Sequence, residues 1–540
     1  MPDAVVIGSG PNGLVAANLL ADAGWSVHVL EAQPEPGGAV RSAELTEPGY
    51  VHDVFSAFYP LAAASPAFRA LELERWGLRW RHGPLAVAHP AADGTAVAIS
   101  RDLDETAASL DAFAPGDGDA WRRLYSLWAK VREPLLEGLV TPIPPVRPTL
   151  RIAAALRADL VELLRLAVVP VRRLGDEHFA ADGGKRLLAG NALHADLTPE
   201  MPPSGFFGWF LCCLAQDVGF PFPEGGAGEL TGALVRRLRD RGGEITCDVP
   251  VTEVVVRRGR AVGVRTASGD EVGARRAVLA NVGAPALYLD LLPHEHAPPK
   301  LRDALRRFEY DASTIKVDWA LDGPIEWTAE AARRAPVVHL VDSVDELTVL
   351  TSDLSRGLVP ARPFLVFGQY SMGDPTRCPP GKEVAWAYTH VPQRIRGDAR
   401  GELTGSWDER ERDLFVARIE ERVESCAPGF RDLIRARHTL FPGDLEARDA
   451  NLVNGAINGG TAQLHQQLVF RPTPSWGRPE TPVLGLYLAS ASAHPGGGVH
   501  GGPGAIAARA ALAARRRGRV AFAVGAAAAT AAAARTLRGR

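Results

Sequence analysis

An α/β fold assembled from separated segments is predicted by three observations. A glycine turn follows an apolar tetrad at the N-terminus, a second glycine cluster opens an Ala-rich helix near residue 505, and alternating apolar runs lie between residues 249 and 282. The first observation is Ala4 to Ile7 leading into Gly8-Ser9-Gly10-Pro11-Asn12-Gly13, with Leu14, Val15, Leu19 and Leu20 at helical spacing behind it. Val27-His28-Val29-Leu30 then ends on Glu31. Strand, glycine turn, helix, strand and carboxylate in that order make a Rossmann-like dinucleotide-binding unit. Gly8 permits the tight turn, and Gly13 lets the helix pack on the strand. Gly10 lets the backbone, with Pro11 and Asn12 opening the helix, approach a pyrophosphate at the helix's positive end. Glu31 is placed to accept hydrogen bonds from an adenosine ribose.

Past Glu31, Pro36-Gly37-Gly38-Ala39-Val40-Arg41-Ser42 forms a second glycine turn carrying a cation. A nicotinamide cofactor does not need it, whereas FAD offers a longer pyrophosphate and ribityl surface. The plainer reading is a β-turn with a solvated Arg41. At the other end of the chain, the strand-like Leu486-Tyr487-Leu488 is followed by His494-Pro495-Gly496-Gly497-Gly498-Val499-His500-Gly501-Gly502-Pro503-Gly504 and a helix from Ala505. A glycine loop feeding a helix N-terminus again suits an anionic or electron-rich ligand. Gly496, Gly497, Gly498 and Val499 are therefore expected to bring backbone against the same cofactor from the opposite end of the sequence.

The N-terminal GSGPNGLVAANLLADAGWSVHVLEAQPEPGGAVRS and the C-terminal HPGGGVHGGPGAIAA together resemble the phytoene desaturase-like FAD flavoproteins. Pro223-Glu224-Gly225-Gly226 with Leu230, Ala233 and Leu234 is similar to that family's P-x-G-G helix. Val249 to Val256, including Val251, is similar to its adenine-side strand. Asn458-Gly459-Gly460 through Gln463, Gln466 and Arg471-Pro472 resembles the branch called pyridine nucleotide-disulfide oxidoreductase domain-containing protein 2. Many relatives carry glycine where this chain has Ser490, so no flavin contact is assigned there. The resemblance implies an FAD-dependent oxidoreductase that desaturates an apolar substrate, isoprenoid or polyene, by hydride transfer to flavin N5. Oxygen or a quinone would then take the electrons. Three alternatives stay open: a flavin-dependent isomerase, an amine oxidase, and a non-enzymatic prenyl-binding escort protein. The His-Pro-Gly-Gly-Gly loop argues against the second, and retention of both glycine loops against the third.

The composition fits a cytoplasmic enzyme. The 540 residues exceed one ordinary domain, and 46% apolar residues are ample for a large core. A net charge of −3 argues against nucleic acid as a partner. The five cysteines lack C-x-x-C spacing, so they read as reduced thiols with neither metal site nor redox dithiol. One dinucleotide motif and no second one leaves a dedicated NAD(P)H domain unexpected. The run from Val520 to Ala534, flanked by arginines, is too short and too weakly apolar to span a bilayer. It reads as an Ala-rich tail or, alternatively, as a basic interfacial helix making a peripheral membrane contact.

The motifs assign residues 1–95, 220–290 and 480–515 to an FAD domain, 96–219 and 291–479 to an α+β substrate domain, and 516–540 to a tail. In the first insertion, Ile152, Leu156, Leu160, Leu163, Leu164 and Ala167 predict a helix ended by Pro170. Phe206, Phe207, Trp209 and Phe210, beside Leu211-Cys212-Cys213-Leu214, form the densest aromatic block. It reads as core or as the wall of a substrate tunnel. Candidates for proton work are Asp53, which follows His52, then Tyr59, His194 and His494, with His500 beside the last. The simpler reading of each histidine is a loop residue that caps or solvates. No spacing argues for hydrolytic or zinc chemistry.

Overall fold

The computed structural model describes residues 1–514, so the Ala/Arg-rich tail and both readings of it lie outside the described residues. A five-stranded parallel sheet runs in the order Leu486–Leu488, Ala277–Ala280, Ala4–Ile7, Val27–Leu30, Glu244–Thr246. Its central strand, Ala4–Ile7, is buried along its whole length, as a sheet covered on both faces requires. Helices Pro11–Asp22 and Gly228–Asp240 share a core with its Ala4, Val6, Val27 and Val29, joined by Ala505, Ala507 and Ala508. Val5, Ile7, Leu30 and Val278 point the other way, into a three-stranded antiparallel sheet of Val251–Arg257, Arg260–Thr266 and Glu271–Gly273. The five strands come from three stretches far apart in sequence. Their C-terminal ends bring Gly8, Asn281 and Ala489 to one edge, where open α/β sheets bind their ligands.

A seven-stranded sheet holds Ile434–Leu440, Ser313–Leu321, Glu383–Val391, Leu365–Gln369, Val337–Leu340, Val87–Pro90 and Ala96–Ile99. Alternating residues of its strands face opposite layers. Val87 and Val337 pack with helices Asp182–His194 and Ser204–Val218, while Ala88 and Val338 pack with helix Glu409–Glu424. The boundary expected at residue 95 falls inside the hairpin Val87–Pro90/Ala96–Ile99, so this sheet begins before it.

The helix expected across Ile152 to Ala167 is two helices, Val146–Leu156 and Leu160–Leu166. A 3-10 turn at Arg157–Asp159 breaks it, with Arg157 at φ +49°. The break turns Leu156, Leu163 and Leu166 inward and leaves Leu150, Val161 and Leu164 exposed. No helix among the described residues is long and apolar enough to cross a membrane.

Candidate active site

The N-terminal turn is built by close backbone packing. Gly8 has φ +85°, and a Cβ on Gly13 would lie 2.2 Å from the Gly8 carbonyl oxygen. Helix Pro11–Asp22 starts at Gly10 with no side-chain cap, which leaves its positive end open to an anion. The second glycine turn lies on the first: a Cβ on Gly38 would come within 3.0 Å of Gly10 Cα, and the Gly37 N–H donates to Ser9 Oγ at 3.1 Å. Glu31, expected to hold a ribose, also fastens this turn. Its Oε2 accepts from the Ser9 N–H at 2.7 Å and the Ser9 hydroxyl at 2.6 Å, and its Oε1 from the Gln33 N–H at 2.9 Å. Arg41 is half-buried and bonded to backbone. Its Nε donates to the Gly38 carbonyl at 3.0 Å and its Nη2 to the Arg448 carbonyl at 2.9 Å. Val251 opens its strand close to Glu31, whose carbonyl accepts the Val249 N–H at 2.8 Å.

His500 holds the C-terminal glycine loop, and Arg471 holds the neighbouring 458–461 loop. His500 accepts the Gly502 N–H on Nδ1 at 3.0 Å, so its proton is on Nε2, which donates to the Gly497 carbonyl at 3.1 Å. Arg471 is fully buried, with no salt bridge to a carboxylate among the described residues. It donates instead to the carbonyls of Asn458, Gly459, Gly460, Thr461 and Ala491 at 2.8–3.3 Å. Burial pulls its pKa down to about 10. The 458–461 loop and the C-terminal glycine loop meet backbone to backbone, since a Cβ on Gly497 would stand 2.6 Å from the Asn458 carbonyl oxygen.

Both glycine loops border one cavity of about 350 Å³. Gly10, Pro11 and Asn12 line it together with Gly497, Gly498 and Val499, whereas Gly8, Gly13, Gly37, Gly38 and Gly496 stand behind that surface and shape it. The remaining wall is largely apolar and includes Phe58, Phe207, Phe210, Leu211, Phe220 and Trp386. The aromatic block of helix Ser204–Val218 therefore divides by helical face. Phe207, Phe210 and Leu211 reach the cavity, while Trp209, Cys212 and Cys213 are fully buried in the core.

Of the four residues expected to move protons, Tyr59 and His194 line the cavity. The Tyr59 hydroxyl donates to the Ser56 carbonyl at 2.8 Å, and burial raises its pKa well above the ordinary tyrosine value. His194 also bonds His339 through its Nδ1 at 3.0 Å. The structure does not bring Asp53 or His494 to the cavity. Asp53 is fully buried and committed: Arg377 lies 3.0 Å away, and the Ser42 hydroxyl, Ala227 N–H and Tyr370 hydroxyl donate to it at 2.7–2.8 Å. It ties the second glycine turn to the P-x-G-G helix. His494 faces a separate small pocket beside Pro142, Ile143 and Ile506, and burial lowers its pKa to about 4. The residue that holds the loop is His500.

Sequence reasoning missed Lys316 and Asp449, both in the cavity wall. Lys316 belongs to the fully buried strand Ser313–Leu321, is bonded to Asp318, and stands 5.7 Å over the Trp386 ring. Its signal was legible: lysine and aspartate two positions apart, hence on one face, in an otherwise apolar run. Asp449 lies in a loop with no motif, and burial pushes its carboxyl up to about 6.

Comparison with known proteins agrees with this geometry. The profile of the family described as flavin containing amine oxidoreductase matches residues 12–505. The chain belongs to that family. It is 29% identical over 550 residues to mouse (Mus musculus) pyridine nucleotide-disulfide oxidoreductase domain-containing protein 2, covering 94% of this chain and 92% of that protein. It is 26% identical to the lycopene-forming phytoene desaturase of Pseudescherichia vulneris, covering 95% and 98%. Among solved structures it resembles an oxidoreductase from Methanosarcina mazei, with TM-score 0.60, 15% identity, and 94% and 99% of the two chains covered. Putrescine oxidase bound to putrescine is also similar, with TM-score 0.60, 16% identity, and 95% and 99% covered. At these identities the structural likenesses establish the fold. The chain is an FAD-dependent oxidoreductase of the phytoene desaturase-like kind. The uncapped helix start and the stacked glycine turns fit an FAD pyrophosphate, and the side-chain-free loop at Gly497 fits the ring.

Proposed function

We propose that this chain dehydrogenates an apolar C–H substrate, isoprenoid or polyene in character, held in the cavity against FAD. The chemistry FAD supplies when bound is acceptance of a hydride. The observation that carries the reading is one cavity bordered by both glycine loops and by an aromatic wall. The chain's own residues bind and orient the substrate there and exclude water from it. Oxygen or a quinone is the proposed electron acceptor. The test is anaerobic bleaching of the FAD-loaded protein by a panel of phytoene, limonene, benzylamine and putrescine. The expected result is bleaching by a terpenoid hydrocarbon and none by the amines. Bleaching by the amines alone would replace this reading with an amine oxidase.

A further inference from the structure

His194 lines the cavity, and its Nδ1 faces a buried chain of histidines. Its Nδ1 lies 3.0 Å from Nε2 of His339, and Nδ1 of His339 lies 3.1 Å from Nε2 of His89. His89 and His339 are fully buried on neighbouring parallel strands, while His194 ends helix Asp182–His194. The three come from distant segments, so no linear motif announces them.

The inner end of this chain sets its direction. The Asn191 Nδ2 donates to the Leu187 carbonyl at 2.9 Å, which orients the amide, and the same nitrogen lies 3.4 Å from His89 Nε2. An amide nitrogen donates and cannot accept, so His89 Nε2 carries a lone pair. The His89 proton is then on Nδ1, which is buried and has no hydrogen-bond partner among the described residues. His339 must therefore donate from Nδ1 and accept on Nε2 from the Nδ1–H of His194. Nε2 of His194 is left unprotonated, with no hydrogen-bond partner among the described residues. The opposite order would set an Nε2–H of His89 against the Asn191 amide protons. Burial also keeps the rings neutral: it lowers His194 to about 4 and His89 to about 3, and His339 well below its usual value.

We propose that His89 and His339 are positioning residues that fix His194 with a bare Nε2 in the cavity, where it accepts the proton a C–H substrate loses. This rests on the dehydrogenation proposed above. One substrate C–H bond breaks with its electron pair leaving as hydride, for which bound FAD is the oxidant. The neighbouring C–H bond breaks, its pair becomes the new C=C bond, and its proton bonds to His194 Nε2. A weak base suffices, because a proton beside a carbon losing hydride is strongly acidic. The imidazolium formed is stabilised through its Nδ1–H bond to His339, and its proton returns to solvent after turnover.

Nitrogen NMR of the FAD-loaded protein, labelled with ¹⁵N-histidine, tests the arrangement, with His194→Gln assigning the resonances. Wild type is expected to show His194 protonated on Nδ1 and unprotonated on Nε2. His339→Phe removes the acceptor and should give mixed His194 tautomers. His339→Gln, whose amide oxygen can accept, should restore the wild-type state. Flavin absorbance should be unchanged throughout, because none of these residues touches the glycine loops. Wild-type His194 protonated on Nε2, or an unaltered tautomer in His339→Phe, would overturn the proposal. Bleaching by phytoene should slow at least 100-fold in His194→Gln, and a rate within twofold of wild type would overturn the proton-acceptor role. Failure of wild type to bleach with any hydrocarbon is a separate result, and it sinks the dehydrogenase reading while the tautomer measurement stands.

Discussion

Single residues here divide between those that touch the cavity and those that hold others in place, and the fold decides which. Asp53 stood among the sequence candidates because it follows a histidine near a glycine turn. Yet it is fully buried against an equally buried Arg377. Asp53→Asn leaves that guanidinium without its counter-charge and should destabilise the fold by about 3–5 kcal/mol, measured as a shift in the urea midpoint. Asp449 gives a pH signature. Burial, the largest cause, raises its carboxyl to about 6, with Glu31 adding to the effect and the Asn451 N–H and Arg41 opposing it. An acid raised on folding contributes stability that is fully present below its unfolded value near 3.8 and is lost as pH rises through about 6. In FAD-stripped protein, Asp449→Asn should therefore gain on the order of 2–3 kcal/mol at pH 7 relative to wild type, with the difference vanishing near pH 3.5. A mutant gain that is the same at both pH values would show that Asp449 is not held neutral.

At the scale of elements, the glycine loops were legible because their constraints are local. A turn that needs positive φ, or a backbone that must be approached closely, shows itself as glycine. Gly497→Val puts a side chain 2.6 Å from the Asn458 carbonyl oxygen, and backbone cannot swing away as a flexible side chain could. That variant should fold, since the strands of both sheets are untouched, but bind FAD at least tenfold more weakly by fluorescence titration. Wild-type affinity would reduce the loop to a strand-to-helix connection. His500→Ala frees the Gly497 carbonyl and the Gly502 N–H together, and should weaken FAD more than His494→Ala does. The sequence could not rank these two histidines, because both flank the same glycines and only the fold shows which ring turns back onto the loop. The aromatic block was ambiguous for a similar reason: helical period separates Phe207 and Phe210 from Trp209 but does not say which face meets a cavity. The helix expected across Ile152 to Ala167 failed because its apolar pattern continues through Arg157, where the backbone turns left-handed.

The whole molecule places three distant segments side by side, and this was readable from where the nucleotide motifs fall. What could not be read was convergence across the insertions. His89, His194 and His339 lie up to 250 residues apart, and Lys316 reaches the same cavity from a strand whose pairing depends on the completed seven-stranded sheet. With one dinucleotide turn and no C-x-x-C, NADH and NADPH are expected to reduce the flavin far more slowly than substrate does in stopped flow. Comparable rates would require a nucleotide site that the glycine motifs do not supply. The most direct measurement of the central claim is a single anaerobic turnover with phytoene, counting flavin reduced and weighing the product. Dehydrogenation in the shared cavity predicts one product, lighter by two hydrogens, for each flavin bleached. An isomerised product of unchanged mass with the flavin still oxidised would contradict it.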